Sequence, residues 1–172
     1  MRRLGATMGS AMFFVVAPGV VAGVVPWLVT GWKVARPVPW YRAVLATGGL
    51  LLIVAGVVVL TDAFARFVRE GRGTPAPLAP TEQLVVGGLY RYVRNPMYVA
   101  VVAIIVGQAL VFGRPLLLAY AVAVWAAMAA FVRWYEEPIL IRQFGAGYQG
   151  YREAVPAWWP RRRRCTHDED DV

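Results

Sequence analysis

The sequence predicts an all-α, polytopic membrane protein with about four transmembrane helices in two hairpins and a C-terminal amphipathic cytoplasmic helix. Hydrophobic residues make up 59% of the 172 residues. The mean hydropathy of +0.52 is too high for an ordinary soluble domain. Four apolar runs are separated by segments that contain most of the charged residues. Because about 20 apolar residues in a helix cross a bilayer, these runs predict transmembrane helices.

The first hairpin is predicted from two apolar runs, residues 6–32 and 43–64. The first run continues past Pro26, which makes it longer than the core of a signal peptide, the alternative interpretation of this start. Asp62 ends the second run and is predicted to be an interfacial acid close to Arg66. The second run also has a stripe of small residues that permits close helix packing and allows a homo-oligomer. This stripe consists of Gly48, Gly49, Ala55 and Gly56.

The second hairpin is predicted from residues 97–112 and 116–131, which are joined by a tight turn at residues 113–115. Pro96 suits the first turn of the first of these helices. Residues 133–138 are expected to close the last span. The spacing of aromatic residues over 144–151 predicts a short amphipathic helix on the membrane surface, and residues 155–160 predict an aromatic membrane anchor.

The chain is divided into an N-terminal transmembrane hairpin (1–70), a ligand-binding region with the second hairpin (71–160) and a charged, disordered tail (161–172), all in one structural unit. Residues 73–80 are rich in Pro and are predicted to be extended. Cys165 is the only cysteine, which excludes an internal disulfide, and its tail position indicates no role, with lipidation as the alternative. His167, the only histidine, also lies in the tail, so no metal site is expected.

The net charge of +8 is explained by membrane topology and anionic lipid rather than by nucleic acid, because the basic residues lie between apolar runs. With four spans, 14 of the 18 Lys and Arg residues fall on one side of the membrane. The positive-inside rule therefore places both termini and the long central loop in the cytoplasm, as expected for a multi-pass protein of the cell's inner membrane. The lipid bilayer is the expected partner.

A polar, aromatic and basic stretch over residues 87–98 lies between the two hairpins. The predicted topology brings it to the same cytoplasmic face as Glu136 and Glu137. Arginine binds carboxylates, carboxylates bind ammonium groups or ribose diols, and tyrosine rings contact a sulfonium. S-adenosylmethionine has all of these features. A purely structural ion pair between Arg133 and Glu137 accounts for the acids about as well.

The motifs of this region resemble those of the isoprenylcysteine carboxyl methyltransferase and phospholipid methyltransferase group of integral membrane enzymes. The matching residues are Gly88, Tyr90, Arg94, Asn95, Pro96, Tyr98, Glu136, Glu137, Phe144, Gly145, Tyr148, Tyr151, Val155 and Pro156. The resemblance implies a methyltransferase that binds S-adenosyl-L-methionine from the cytoplasmic side. It also implies a lipophilic acceptor, with a carboxylate, thiol or amine group, that enters from the bilayer.

The resemblance assigns Arg133 and Glu136 to catalysis, with Arg133 contacting the cofactor or the acceptor. It assigns cofactor binding to Glu82, Gln83, Leu84, Val85, Tyr90, Arg94, Asn95, Pro96, Tyr98, Glu136 and Glu137. The chain departs from the group at Asn95, where prenylcysteine-directed members usually have His. The change matters because Asn forms hydrogen bonds but cannot act as a base. Glu82 also replaces a residue that is often His or polar. The alternatives are an NADPH-dependent membrane reductase with the fold of sterol reductases, or a non-enzymatic membrane scaffold.

Overall fold

The computed structural model describes residues 16–35, 40–71 and 84–160, and over these ranges every regular element is a helix. The chain before Val16, the Pro-rich stretch 73–80, Glu82 with Gln83 and the tail 161–172 lie outside the described residues. We number six helices in chain order. They are α1 (Val16–Thr30), α2 (Arg42–Gly71), α3 (Pro96–Phe112), α4 (Pro115–Phe131), α5 (Glu137–Phe144) and α6 (Ala146–Ala154).

Helix α3 contacts α1, α2 and α4, and glycines allow its close approach to α2. A Cβ atom added to Gly49 of α2 would lie 2.6 Å from the carbonyl oxygen of Gly107 in α3. A Cβ atom added to Gly107 would lie equally close, 2.6 Å, to the carbonyl oxygen of Gly49. A Cβ atom added to Gly56, seven residues after Gly49, would lie 2.7 Å from the Ile104 side chain. Two members of the predicted small-residue stripe therefore pack helices together within this chain.

Helix α1 contains a π-helical turn, Val20–Val24, that leaves two carbonyl groups without their usual helical donors. The N–H group of Val25 donates to the carbonyl oxygen of Val20, five residues back, instead of to that of Val21. The usual donor for Ala22 would be the residue four positions later, which is Pro26 and has no N–H group. Such free carbonyl groups are costly in an apolar environment unless another donor reaches them.

Two side chains of the second hairpin supply the missing donors. The Tyr120 hydroxyl donates to the Val21 oxygen at 2.9 Å, and Gln108 Nε2 donates to the Ala22 oxygen at 2.6 Å. Val21 and Ala22 also pack against the buried cluster of Val101, Ile105 and Ala121. Helix α1 is thus fixed to the second hairpin.

The second hairpin, formed by α3 and α4, confirms the prediction from the sequence. Pro96 and Pro115 occupy the first turns of their helices, where the missing N–H group has no helical partner to lose. Gly113 ends α3 in the left-handed conformation with φ of 62°, which glycine adopts without steric cost. The tight turn predicted at residues 113–115 therefore joins the two helices.

The last long helix continues beyond residues 133–138, where the sequence had predicted its end. A second π-helical turn, Val132–Glu136, connects α4 to α5, and the helix ends only at Phe144. This turn widens the helix just before Pro138, where a regular α-helix would clash with the proline ring. Gly145, with φ of 53°, then separates α5 from α6. Helix α6 confirms the predicted amphipathic helix, although Phe144 belongs to the preceding helix.

The helices have the composition of a membrane protein. Two segments, Arg42–Arg66 with 25 residues and Pro115–Phe144 with 30, are long and apolar enough to cross a bilayer. Helices α1 and α3 are apolar but shorter, and the 17 residues of α3 are at the lower end of the range of about 17–25 that spans a membrane. Large apolar side chains on α2 and α4, such as Leu51 and Val122, are exposed, as expected for surfaces that contact lipid. The predicted all-α membrane fold is confirmed.

Candidate active site

The polar stretch 87–98 begins with a short 3₁₀ helix, Gly88–Arg91, that contacts the C-terminal half of α2. Tyr90 is buried with Ala63 and Val85, and its hydroxyl group lies 3.5 Å from the Ala63 oxygen. Gly88 has φ of 54°, and a Cβ atom at this position would overlap the guanidinium of Arg66. The predicted interfacial pair is present, with Arg66 Nε 3.2 Å from Asp62 Oδ2.

Arg94, whose side chain is largely covered, connects three segments of the chain. One of its terminal nitrogens, Nη1, donates to Glu137 Oε1 at 2.8 Å and to the Tyr148 hydroxyl at 3.1 Å. Its Nε donates to the Val155 oxygen at 3.0 Å, and its backbone N–H donates to the Pro156 oxygen at 2.9 Å. Arg94 therefore holds α5, α6 and the segment after α6 in one arrangement.

Asn95 also attaches the segment after α6 to the start of α3. Both its backbone N–H and its side-chain Nδ2 donate to the Ala157 oxygen, at 3.3 Å and 3.2 Å. Residues 155–158, which we call the C-terminal strap, are thus hydrogen-bonded to the start of α3 through three successive carbonyl groups. The Asn95 side chain acts here as a hydrogen-bond donor, a role that does not require a base.

Glu137 is surrounded by arginines. Besides the hydrogen bond from Arg94, its other carboxylate oxygen, Oε2, lies 3.6 Å from Arg133 Nη1 and 3.8 Å from Arg152 Nη2. The side chain of Glu137 is only 7% exposed. The predicted ion pair between Arg133 and Glu137 is therefore present as part of a larger network, and this carboxylate is fully compensated by positive charge.

Glu136, the preceding residue, has very different surroundings. Its Oε2 accepts a hydrogen bond from the Tyr98 hydroxyl at 3.1 Å, and within the described ranges no arginine or lysine forms an ion pair with it. The Tyr98 ring lies 6.5 Å from the Trp158 ring, measured between centroids, and Trp158 in turn lies 6.0 Å from Trp125 of α4. A half-buried carboxylate that forms no ion pair with another described residue therefore lies beside an aromatic corner made of Tyr98, Trp158 and Trp125.

Two tyrosines of α6 complete the framework. The Tyr151 hydroxyl donates to the Tyr90 oxygen at 2.7 Å, and burial raises the pKa of Tyr151 well above its ordinary value. Burial also raises the pKa of Tyr148, although the positive charge of Arg94 acts in the opposite direction. Both hydroxyl groups remain protonated near neutral pH. They serve as neutral hydrogen-bonding groups that connect α6 to the polar stretch.

The structure brings six of the predicted site residues to one end of the helices. They are Arg94, Asn95, Tyr98, Arg133, Glu136 and Glu137. Leu84 and Val85 precede the 3₁₀ helix, and Val85 is buried beside Tyr90 in the cluster at the end of α2. Pro96 begins α3. Glu82 and Gln83 lie outside the described residues. Within the described ranges, no group of three or more His, Cys, Asp and Glu residues is placed to hold a metal ion.

Sequence reasoning did not assign Arg152, Trp125 and Trp158 to the site. Trp158 was predicted only as part of the aromatic membrane anchor, whereas its ring packs between Tyr98 and Trp125. Its neighbour Trp159 is 78% exposed, so a membrane anchor at this position stays a prediction. One tryptophan therefore faces the site and its neighbour faces outward, a difference that nothing in the Trp-Trp sequence signals.

Comparison with known proteins identifies the family. Residues 44–147 match the sequence model of the phospholipid methyltransferase family, which covers more than half of the chain. No curated protein and no solved structure matches. The matched region begins in α2 and ends in α6, and it contains Arg94, Asn95, Tyr98, Glu136 and Glu137. The chain belongs to the phospholipid methyltransferase family and is a membrane methyltransferase.

Proposed function

We propose that the protein transfers a methyl group from S-adenosyl-L-methionine to a lipophilic acceptor at the cytoplasmic face of the cell's inner membrane. The observation that carries this proposal is the contrast between the two adjacent glutamates. Glu137 is compensated by three arginines, whereas Glu136 is paired only with a tyrosine hydroxyl among the described residues and lies beside aromatic rings. Such a carboxylate suits a cationic ligand.

S-adenosylmethionine fits these surroundings. It has an ammonium group and a sulfonium group, and both are attracted by a carboxylate and by the faces of aromatic rings. Glu136 would hold a cationic group of the cofactor, and the rings of Tyr98 and Trp158 would contact it. The hydrogen bond from Tyr98 fixes the orientation of the carboxylate before the ligand arrives, which lowers the entropic cost of binding.

The residues contribute to transfer mainly by alignment and by excluding water. When bound, the cofactor would supply an electrophilic methyl carbon to the acceptor, with a neutral thioether as the leaving group. Tyr98 and Glu136 hold the donor side, and the strap carries Trp158 over them. Arg94, Asn95 and Glu137 position the strap and α5. Since a carboxylate, thiolate or amine acceptor needs little help from a base, the Asn95 amide is compatible with this reaction.

The orientation in the membrane follows from charge. Arg91 and Arg94 precede α3, and Arg133, Arg142 and Arg152 follow α4, so all five lie at the same end of the second hairpin. Arg114, at the turn between α3 and α4, lies at the opposite end. This distribution supports a multi-pass arrangement with both termini and the site on the cytoplasmic side, according to the positive-inside rule.

Calorimetric titration of the detergent-purified protein with S-adenosylhomocysteine and, separately, with NADPH tests the proposal. We expect binding of S-adenosylhomocysteine alone, followed by transfer of a radiolabelled methyl group from S-adenosylmethionine into a lipid extract. Binding of NADPH alone would overturn the proposal in favour of a reductase. Binding of neither by folded protein would leave a membrane scaffold as the remaining interpretation.

A further inference from the structure

A second group of basic side chains lies at the end of the helices opposite to the candidate active site. Arg114, at the turn between α3 and α4, has its Nε 3.4 Å from the Lys33 oxygen in the segment that follows α1. Arg42, the first residue of α2, donates to the Val111 oxygen near the end of α3. Contacts between distant segments of the chain therefore bring together Lys33, Arg42 and Arg114, which we call the basic cluster.

The basic cluster has no acidic residues to balance its charge. The sequence contains no Asp or Glu in residues 1–61 or in residues 83–135. The two stretches that form this end, 31–44 and 109–118, contain four Lys and Arg residues, which is half of the net charge of +8. Because like charges held close together repel one another, this end of the protein favours an anionic ligand.

The cluster also has hydrogen-bond donors that no described residue uses. Nε of Arg42 is buried and has no hydrogen-bond partner among the described residues. Arg114 reaches the Lys33 oxygen through its Nε alone, and within the described ranges the Lys33 ammonium group forms neither a hydrogen bond nor an ion pair. The Lys33 side chain is exposed, and Arg114 is half-buried. Guanidinium and ammonium donors in this arrangement suit the oxygens of a phosphate group.

The neighbours of the cluster indicate that the phosphate belongs to a lipid. Trp32, Trp40 and Tyr41 are exposed in the same region of the chain, and tryptophan and tyrosine concentrate at the level of lipid headgroups. Leu116, two residues after Arg114, begins the exposed apolar surface of α4. A lipid would therefore meet basic donors at its headgroup and apolar side chains along its acyl chains, whereas a soluble anion would use only the donors.

We propose that the basic cluster binds the phosphate group of an anionic phospholipid in the leaflet at this end of the helices. The 17 residues of α4 separate this site from the second π turn by about 25 Å, so the bound lipid is a structural ligand and not a methyl acceptor. It joins the segment after α1, the start of α2 and the turn between α3 and α4. The site does not depend on the proposed function.

The test measures binding of three probes to the full-length protein in detergent by calorimetry. Dihexanoylphosphatidylglycerol is the anionic lipid, dihexanoylphosphatidylcholine has the same chains and phosphate without a net charge, and glycerol 3-phosphate has no chains. Variants Lys33→Gln and Arg114→Gln each remove one charge of the cluster. Arg142→Gln is the matched control, because it removes an exposed arginine of α5 at the other end of the helices. Circular dichroism checks the helical content of every variant.

We expect phosphatidylglycerol to bind, and phosphatidylcholine and glycerol 3-phosphate to bind at least tenfold more weakly. Lys33→Gln and Arg114→Gln should each weaken phosphatidylglycerol binding about tenfold, the factor that corresponds to the loss of one hydrogen bond to a charged group. Phosphatidylglycerol should also raise the thermal unfolding midpoint of the wild type, because it binds only the folded arrangement of the three segments. The rise should be smaller in both cluster variants, and Arg142→Gln should behave as the wild type.

Four results would overturn the proposal. Phosphatidylglycerol that does not bind to the wild type would exclude the site, and equal weakening in Arg142→Gln would show general attraction to a basic protein. Glycerol 3-phosphate that binds as tightly as the lipid would identify a site for soluble phosphates. Equal affinities for the two lipids would show that the cluster does not select a net negative charge.

Separate measurements distinguish this proposal from the proposed function. S-adenosylhomocysteine affinity and methyl transfer in Lys33→Gln and Arg114→Gln should equal those of the wild type, because both residues lie outside the candidate active site. If the wild-type protein does not bind S-adenosylhomocysteine, the proposed function fails, while selective binding of phosphatidylglycerol that depends on Lys33 and Arg114 still establishes the lipid site.

Discussion

The two π turns of this protein use the same backbone arrangement in different surroundings. Val20–Val24 in α1 and Val132–Glu136 after α4 both contain five residues, and each is followed two residues later by a proline, Pro26 or Pro138. In both, the N–H group after the turn bonds to the first carbonyl of the turn. Each turn therefore frees carbonyl groups and accommodates a proline inside a continuous helix.

The difference lies in what surrounds each turn. The first turn is apolar, and Tyr120 and Gln108 donate to its freed carbonyl groups, while Gln108 Oε1 is buried without a partner among the described residues. The second turn ends in Glu136 and is followed by Glu137, which meet tyrosine and arginine side chains instead. The first turn therefore joins helices, whereas the second displays charged groups. The π turn itself is therefore compatible with either role, and the side chains around it decide whether it is structural or functional.

The largest effect is expected from the loss of the charge at Glu137, directly after the second turn. This loss should lower the stability of the folded protein. Glu137→Ala leaves the buried Arg94 without its carboxylate partner, and breaking a buried ion pair costs about 3–5 kcal/mol. We expect a decrease of this size in the free energy of unfolding, measured by denaturant titration in detergent micelles.

Glu137→Gln is the matched variant, because an amide retains the shape of the side chain and can accept a hydrogen bond from Arg94. We expect it to be less destabilising than the alanine variant. Unfolding free energies of both variants within about 1 kcal/mol of wild type would show that the Glu137 cluster is as weak as a surface ion pair, and the distinction between the two glutamates would fail.

The next largest effect is expected at Glu136, where the change should affect ligand binding and not folding. Glu136→Gln removes a carboxylate that has one hydrogen bond from Tyr98 and no ion pair among the described residues. Because a hydrogen bond to a charged group contributes about 1.5–3 kcal/mol, S-adenosylhomocysteine affinity should fall about tenfold to hundredfold. Calorimetric titration measures this, and the denaturation midpoint provides the control. Unchanged affinity would remove Glu136 from the cofactor site.

Much of the fold was predictable because its signals are local. The apolar runs indicated the helices, and Pro96, Gly113 and Pro115 marked the ends of the second hairpin through their own backbone restrictions. The π turns were not predictable, since a shift of a single hydrogen bond from the fourth to the fifth residue leaves the apolar pattern almost unchanged. The continuation of the helix past Pro138 was missed for this reason.

The candidate site was predictable to the extent that topology determines it. Charge distribution placed Arg94, Glu136 and Glu137 at the same face before any geometry was known. The unequal surroundings of the two glutamates were not predictable, because Arg152 and Trp158 reach the site from a segment whose path depends on hydrogen bonds to backbone carbonyl groups. Nothing in the sequence around Val155 or Ala157 distinguishes a carbonyl that accepts a hydrogen bond from Arg94 or Asn95 from one that binds water.

A smaller effect is expected at Tyr98, whose hydroxyl orients Glu136. Tyr98→Phe keeps the ring that faces Trp158 and removes only the 3.1 Å hydrogen bond to the carboxylate. Since a single hydrogen bond to a charged group is lost, methyl transfer should fall about tenfold. Radiolabelled transfer at saturating cofactor gives the rate. Wild-type activity in this variant would show that Glu136 does not need Tyr98 for its orientation.

The smallest effect is expected from the same substitution at the other π turn, where it should alter stability alone. Tyr120→Phe removes the donor to the Val21 oxygen and leaves that carbonyl without a partner in an apolar environment. The loss of one neutral hydrogen bond should lower the free energy of unfolding by about 0.5–1.5 kcal/mol. S-adenosylhomocysteine affinity and the rate of methyl transfer should equal those of the wild type, because Tyr120 and Val21 lie outside the candidate site. Reduced affinity in Tyr120→Phe would mean that the first turn also supports the site, and the separation between a structural and a functional π turn would no longer hold.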